Sequence, residues 1–245
     1  MGYKVTNKYF RAQIIDVTNW NLGGERRKKD EMRLLICHLF VNSQSLCAMK
    51  ERMRLIIEEK PNELSPAYVQ LLVDQLPAWR RDQALRYRYL GGQFDCAMSY
   101  LLLCRLLREE YGIQSQPTFV YAESGKPSLA EYPNLYFSIS HCKLAVGCLL
   151  SDCPCGLDVE SVRSFSSSVV SYAMNADEVF RIQSASDPAV EFIRLWTQKE
   201  AILKCKGTGI AGNLKNALDT DTLRGLELET IEKEGYIYST ATLST

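Results

Sequence analysis

The pattern of apolar and polar positions changes character near Met53, and from there it predicts a regular succession of elements. "MRLIIEE" at 53–59 reads as the start of a strand. After a turn-rich link, "SPAYVQLLVDQLP" reads as a helix, with Ser65 as N-cap and Pro66 at its first position. Apolar residues at helical spacing then run through 79–111 and stop at Gly112. "QPTFVYAESGKPSLA" predicts a strand and a turn at "SGKP"; "LYFSISH" alternates as a strand does. "LAVGCLL" and "CGLDVE" predict two more strands, joined by the turn "SDCP". A Ser-rich stretch, 164–171, reads as loop. "NADEVFRI" and "PAVEFIRLWTQKEAILKCKG" read as helices, the second ending at Gly207, and the tail reads as strands around a turn at "EKEG". Helix, strands, helix, strands is an α+β order rather than a βαβ alternation, with a boundary expected near Ser151.

Composition narrows the class without naming a chemistry. The 245 residues are 46% hydrophobic and 24% charged, with a formal net charge of zero. That is an ordinary globular balance, and it argues against bulk nucleic-acid binding, so any anion site must be local. No apolar run approaches the roughly 20 residues that span a bilayer, and the N-terminus lacks the apolar core of a secretory signal. Nine cysteines lie mostly inside apolar runs without framework spacing, which predicts reduced, mostly buried thiols of a cytoplasmic protein. Residues 1–52 combine a charge-dense segment, "GGERRKKDEMR", with a short apolar patch, "LLICHLF", and predict an N-terminal extension of uncertain structure.

Three short stretches carry residues that could do chemistry. In "CGLDVE", Asp158 and Glu160 stand two apart in a strand and therefore face the same side. Like charges there are costly unless something positive lies between them, so the strand is either a wet edge or half of a metal site. In "LWTQKEAILKCKGTG", Trp196, Glu200 and Lys204 share one helix face. A Glu–Lys pair is usually a solvated surface feature; a Trp beside it argues for burial. Lys199 lies roughly 100° round from Glu200 and ranks below Lys204. The third stretch, "WRRDQALRYRYLGG", gathers Arg80, Arg81, Arg86 and Arg88, either as a solvated helix face or as an anion clamp. "GKP" at 125–127 and "SISH" at 138–141 read, taken alone, as a turn and a strand end. Only two histidines exist and no GxSxG surrounds a serine, which leaves little room for triad hydrolysis.

Taken in order, GKP, SISH, GLDVE and WxxKEAxxK followed by GxG closely resemble the motifs of the Sfp-type 4'-phosphopantetheinyl transferases. The resemblance covers about Met53 to Thr245, is strongest over 125–209, and does not reach residues 1–52. It implies a fold of two pseudo-twofold-related α+β lobes with the active site between them, residues 53–151 forming the first and 152–245 the second. It also implies Mg²⁺, or Mn²⁺, held by Asp158, Glu160 and Glu200, with coenzyme A as co-substrate. Glu200 would be the base and Lys204 would sit on the phosphates, both serving catalysis. Arg88, Lys126, Pro127, Ser140, His141 and Lys204 would contact coenzyme A, His141 at its 3'-phosphate. The partner would be an acyl or peptidyl carrier protein, and the enzyme a monomer free of nucleic acid and membrane. A non-catalytic coenzyme A or carrier-protein binder, and a Mg²⁺-dependent nucleotide phosphohydrolase, are the readings the same residues would otherwise serve.

Overall fold

Strand β1 (Arg54–Glu59) opens the described part of the chain, which in this computed structural model comprises residues 53–209 and 213–243. The expected extension at 1–52 lies outside the described residues. Three helices follow: α1 (Pro66–Asp74), α2 (Ala78–Leu85) and α3 (Leu90–Tyr111). The Ser65 hydroxyl accepts from Tyr68 N and Pro66 fills the first turn, as the sequence predicts. Gly112 closes α3 with φ 68°, the left-handed turn that a Cβ would strain. The apolar period through 79–111 predicts one helix, and the structure has two. Residues 86–89 break it, and a Cβ on Gly92 would press into the Tyr87 ring at 2.6 Å, so glycine is what lets this loop fold back onto α3.

Strands β2 (Phe119–Tyr121) and β3 (Pro127–Leu129) make a small hairpin, its turn carrying Gly125 at φ 81°. Then come β4 (Tyr136–His141), β5 (Ala145–Ser151) and β6 (Cys155–Ser161). β5 pairs antiparallel with β1 on one side and with β4 on the other, giving a sheet in the order β1-β5-β4. All seven residues of β5 are buried. α3 lies over this sheet, and Phe94, Leu102, Leu103 and Leu107 pack with Val146, Cys148 and Leu150. Each such buried Leu or Phe contributes about 1.5–3 kcal/mol by leaving water.

The Ser-rich stretch is not all loop. Ser166 caps a short helix, α4 (Ser167–Ala173), by accepting from Val169 N. α5 (Ala176–Ser184) starts on a reciprocal capping box between Asn175 and Glu178. α6 (Pro188–Lys206) ends on Gly207 at φ 70°. A 3₁₀ turn (Leu214–Asn216) and α7 (Thr220–Leu223), neither predicted, lead to β7 (Leu226–Lys233) and β8 (Tyr236–Leu243). The second sheet runs β6-β8-β7, all antiparallel, with α6 laid across β6 and β8. The whole is α+β. Among the described residues no helix is long and apolar enough to cross a membrane.

The two sheets meet along an apolar seam in which Ala145 and Leu149 of β5 pack with Leu157 and Val159 of β6. That seam uses one face of β6. Gly156, Asp158 and Glu160 occupy the other.

Candidate active site

Gly156 determines how closely α6 can approach. A Cβ there would collide with the backbone O of Ala201 and the backbone N of Cys205, so only glycine allows helix and strand to sit backbone to backbone. The next residues on the same face, Asp158 and Glu160, are thereby carried up against the helix face bearing Glu200 and Lys204. This explains two acids in a strand otherwise buried: they face a helix that brings its own cation. Lys204 Nζ lies 2.7 Å from Asp158 Oδ1, and also donates to Leu157 O at 3.0 Å and Ser140 Oγ at 3.2 Å. All three ammonium protons thus have acceptors inside the protein.

The cluster is short of positive charge. Asp158 is 4% and Glu200 7% exposed, and Asp158 Oδ2 and Glu200 Oε1 are both buried without a hydrogen-bond partner. Burial, then the neighbouring Asp158 charge, raises Glu160 to about 7; Arg163, in a long contact at 3.8 Å, and then Lys204 oppose this. Glu200 is raised for the same reasons, burial first and Asp158 next, with Lys204 opposing. Among the described residues no three acidic, histidine or cysteine side chains are already gathered into a metal cage. The residues nevertheless suit a hard divalent cation: every donor is a carboxylate oxygen, and two of those oxygens are bare and desolvated. Mg²⁺ keeps several waters and substrate oxygens, so a few carboxylates without a closed cage are what it uses.

His141 lies at the end of β4, half-exposed, with Nδ1 3.5 Å from Asp95 Oδ2. Burial lowers its pKa first, Asp95 opposes, and Lys60 and Lys204 lower it further. It borders a cavity of about 560 Å³ that Lys60, Pro61, Tyr89, Gly91 and Lys143 also line, at the start of α3. Lys60 in turn forms an ion pair with Asp95. Lys60, Asp95, Tyr89 and Lys143 were not singled out in the sequence. Only Lys143, two residues after His141, had a local signal that could have found it. Arg88 is exposed in the 86–89 loop, next to Tyr89.

Other expected residues turn inward. Lys126 donates its ammonium to the carbonyls of Cys155 and Lys204, tying the β2–β3 turn to β6 and the end of α6, and burial lowers its pKa. Pro127 begins β3. The Ser140 hydroxyl donates to Asp158 Oδ1 at 3.0 Å. Arg80 reaches Cys96 O and stacks near Trp79 and Tyr100, while Arg81 holds the carbonyls of Asp74 and Leu76, so neither guanidinium is presented as an anion clamp. Lys199 is fully buried, 2.7 Å from Glu178 Oε2 and bonded to the carbonyls of Ala173 and Leu214, on the side of α6 away from Asp158. Trp196 packs beside Phe192, accounting for the aromatic on this helix.

Comparison with known proteins points to one family. Residues 154–241 match the family described as the 4'-phosphopantetheinyl transferase superfamily. The chain is 27% identical to the 4'-phosphopantetheinyl transferase psf-1 of Bacillus pumilus over 140 residues, 56% of this chain and 60% of that protein. It is 23% identical to the transferase Sfp of Bacillus subtilis strain 168 over 135 residues, 54% of this chain and 60% of that one. With the transferase AcpT of Salmonella typhimurium it shares 34% over 98 residues, 37% of this chain and 50% of the other. The chain thus matches about 60% of the length of the two Bacillus relatives.

Proposed function

We propose, from the premise that this chain is a relative of the Sfp-type 4'-phosphopantetheinyl transferases, that it moves the phosphopantetheine arm of coenzyme A onto a serine of an acyl or peptidyl carrier protein. The observation that carries the reading is the charged cluster between β6 and α6, where buried, partnerless carboxylate oxygens of Asp158 and Glu200 stand beside Lys204. In this reading the two helix-on-sheet layers, 53–151 and 152–245, are lobes related by a pseudo-twofold, and the protein works as a cytoplasmic monomer.

Attack of a neutral hydroxyl on an anionic phosphorus needs charge neutralisation, alignment and a destination for the proton. Asp158, Glu160 and Glu200 would hold Mg²⁺ or Mn²⁺, which supplies Lewis-acid neutralisation of the pyrophosphate. Glu200 takes the proton of the incoming serine. The serine Oγ–P bond forms as the P–O bond of the pyrophosphate breaks, and 3',5'-ADP departs. Lys204 balances Asp158 and reaches the phosphates by releasing one of its present acceptors. Arg88 and His141 bind the nucleotide's phosphates beside the cavity at the start of α3. Lys126 anchors the turn that presents Pro127 to the adenine.

The test is the intact mass of an apo carrier protein incubated with this protein, coenzyme A and Mg²⁺. A gain of one phosphopantetheine is expected, and Glu200→Gln should slow it by roughly 10²–10³-fold, the scale of losing one preorganised group at a reacting centre. No gain while coenzyme A still binds would make the protein a binder. Phosphate released without any carrier protein would make it a phosphohydrolase.

A further inference from the structure

The edges of the two sheets are not joined by a backbone ladder where β4 meets β6. They are joined by two serine hydroxyls. Ser138 Oγ accepts from Leu157 N at 2.9 Å, and two residues along Ser140 Oγ accepts from Val159 N at 3.1 Å. Both serines are buried. They differ in what else they touch: Ser138 faces no carboxylate in this bonding, whereas Ser140 donates to Asp158 Oδ1 at 3.0 Å and accepts from Lys204 Nζ at 3.2 Å.

A hydroxyl has one proton to give and two lone pairs to receive. At Ser140 the lone pairs meet Val159 N and Lys204 Nζ, and the proton goes to Asp158, so the inventory is used up. A phosphate can only accept. To bind one, Ser140 would have to withdraw its single proton from Asp158 Oδ1, exchanging one charged acceptor for another with no bond gained. We propose that Ser140 is a positioning residue for the cation site and not a contact for the substrate's phosphates. With Lys204, it fills Asp158 Oδ1 from within the protein and leaves Oδ2 as the oxygen available to a cation. Loss of the hydroxyl leaves Lys204 as the single hold on Asp158 Oδ1 and leaves Val159 N without its acceptor.

The inference rests on the reading above that Asp158 holds a divalent cation, and the test separates the two. Free Mn²⁺ is followed by electron paramagnetic resonance as it is titrated into the protein without coenzyme A. Coenzyme A binding is measured separately without metal. Ser140→Ala should weaken Mn²⁺ binding about 10–100-fold, the scale for removing a group that orients a metal ligand, while metal-free coenzyme A affinity moves by less than about twofold. Ser138→Ala removes the matching stitch and should cost comparable thermal stability with Mn²⁺ binding unchanged. Ser140→Thr, which keeps the hydroxyl, should restore Mn²⁺ binding. Unchanged Mn²⁺ binding with weakened coenzyme A binding in Ser140→Ala would return Ser140 to the phosphates. Equal Mn²⁺ losses in both alanine variants would reduce its role to holding the seam. If the unmodified protein binds no Mn²⁺, the cation reading itself fails, and this inference with it.

Discussion

Gly147 in the first sheet and Gly156 in the second are both buried strand glycines at which an added Cβ would meet its neighbours, but the neighbours differ in kind. At Gly147 they are the tips of Ile57, Leu157 and Val159, at 2.7, 2.8 and 3.1 Å. At Gly156 they are the main chain of α6 at Ala201 and Cys205. Side-chain tips form an apolar interface, and β5 is accordingly buried along its length. A helix backbone drawn against a strand leaves a narrow slot instead, into which the strand's next two residues on that face project with the helix's own charged side chains. The first sheet seals the molecule; the second holds a desolvated cluster of charge. One close approach, set by a residue with no side chain, separates the two.

The largest effect that could break this contrast concerns how the second layer manages charge away from the site. Lys199 and Lys204 lie on one helix, yet Lys199 is sealed against Glu178 while Lys204 keeps 30% of its side chain exposed. Lys199→Met should cost about 3–5 kcal/mol, because Glu178 is left buried and uncompensated. Pairing it with Glu178→Gln should recover part of that loss in urea unfolding. A silent Lys199→Met would mean the burial is not felt. The glycine pair comes next. Gly156→Ala should destabilise by about 1–3 kcal/mol or more, since backbone cannot step aside, and Gly147→Ala by less, since side-chain tips can rotate. Equal shifts in melting temperature for the two variants would erase the distinction between the layers. The smallest effect concerns dryness, which the layers share. Burial pushes the Cys155 thiol up to about 12, with Lys126 opposing, and raises Cys148 well above its usual value. Raised values mean neutral, unreactive thiols throughout pH 7–9. Iodoacetamide at pH 8 should therefore leave both unlabelled in the folded protein and label both in urea, as read by peptide mass spectrometry.

What the sequence made legible were features whose cause lies within a few residues. Ser65 before Pro66, and the glycines 112 and 207 after apolar periods, mark helix ends by local geometry, and they are where expected. The same-side placement of Asp158 and Glu160 follows from strand pleating alone. The break at 86–89 was hidden because the apolar period runs through it, and its cause is a ring folding back onto Gly92. Serine composition at 164–171 reads as loop, yet one of those serines, Ser166, is a cap. The inward commitments of Lys126 and Ser140 could not be read at all. Their nearest partners lie 29 and 18 residues away, across sheets whose meeting no local pattern encodes.

The central claim is that β6 and α6 form one cation site, and the most direct measurement is anomalous scattering from a crystal grown with Mn²⁺ and coenzyme A. A single strong peak is expected between Asp158, Glu160 and Glu200, next to the nucleotide's pyrophosphate. A crystal with coenzyme A bound and no peak there, or with the peak elsewhere on the protein, would contradict it.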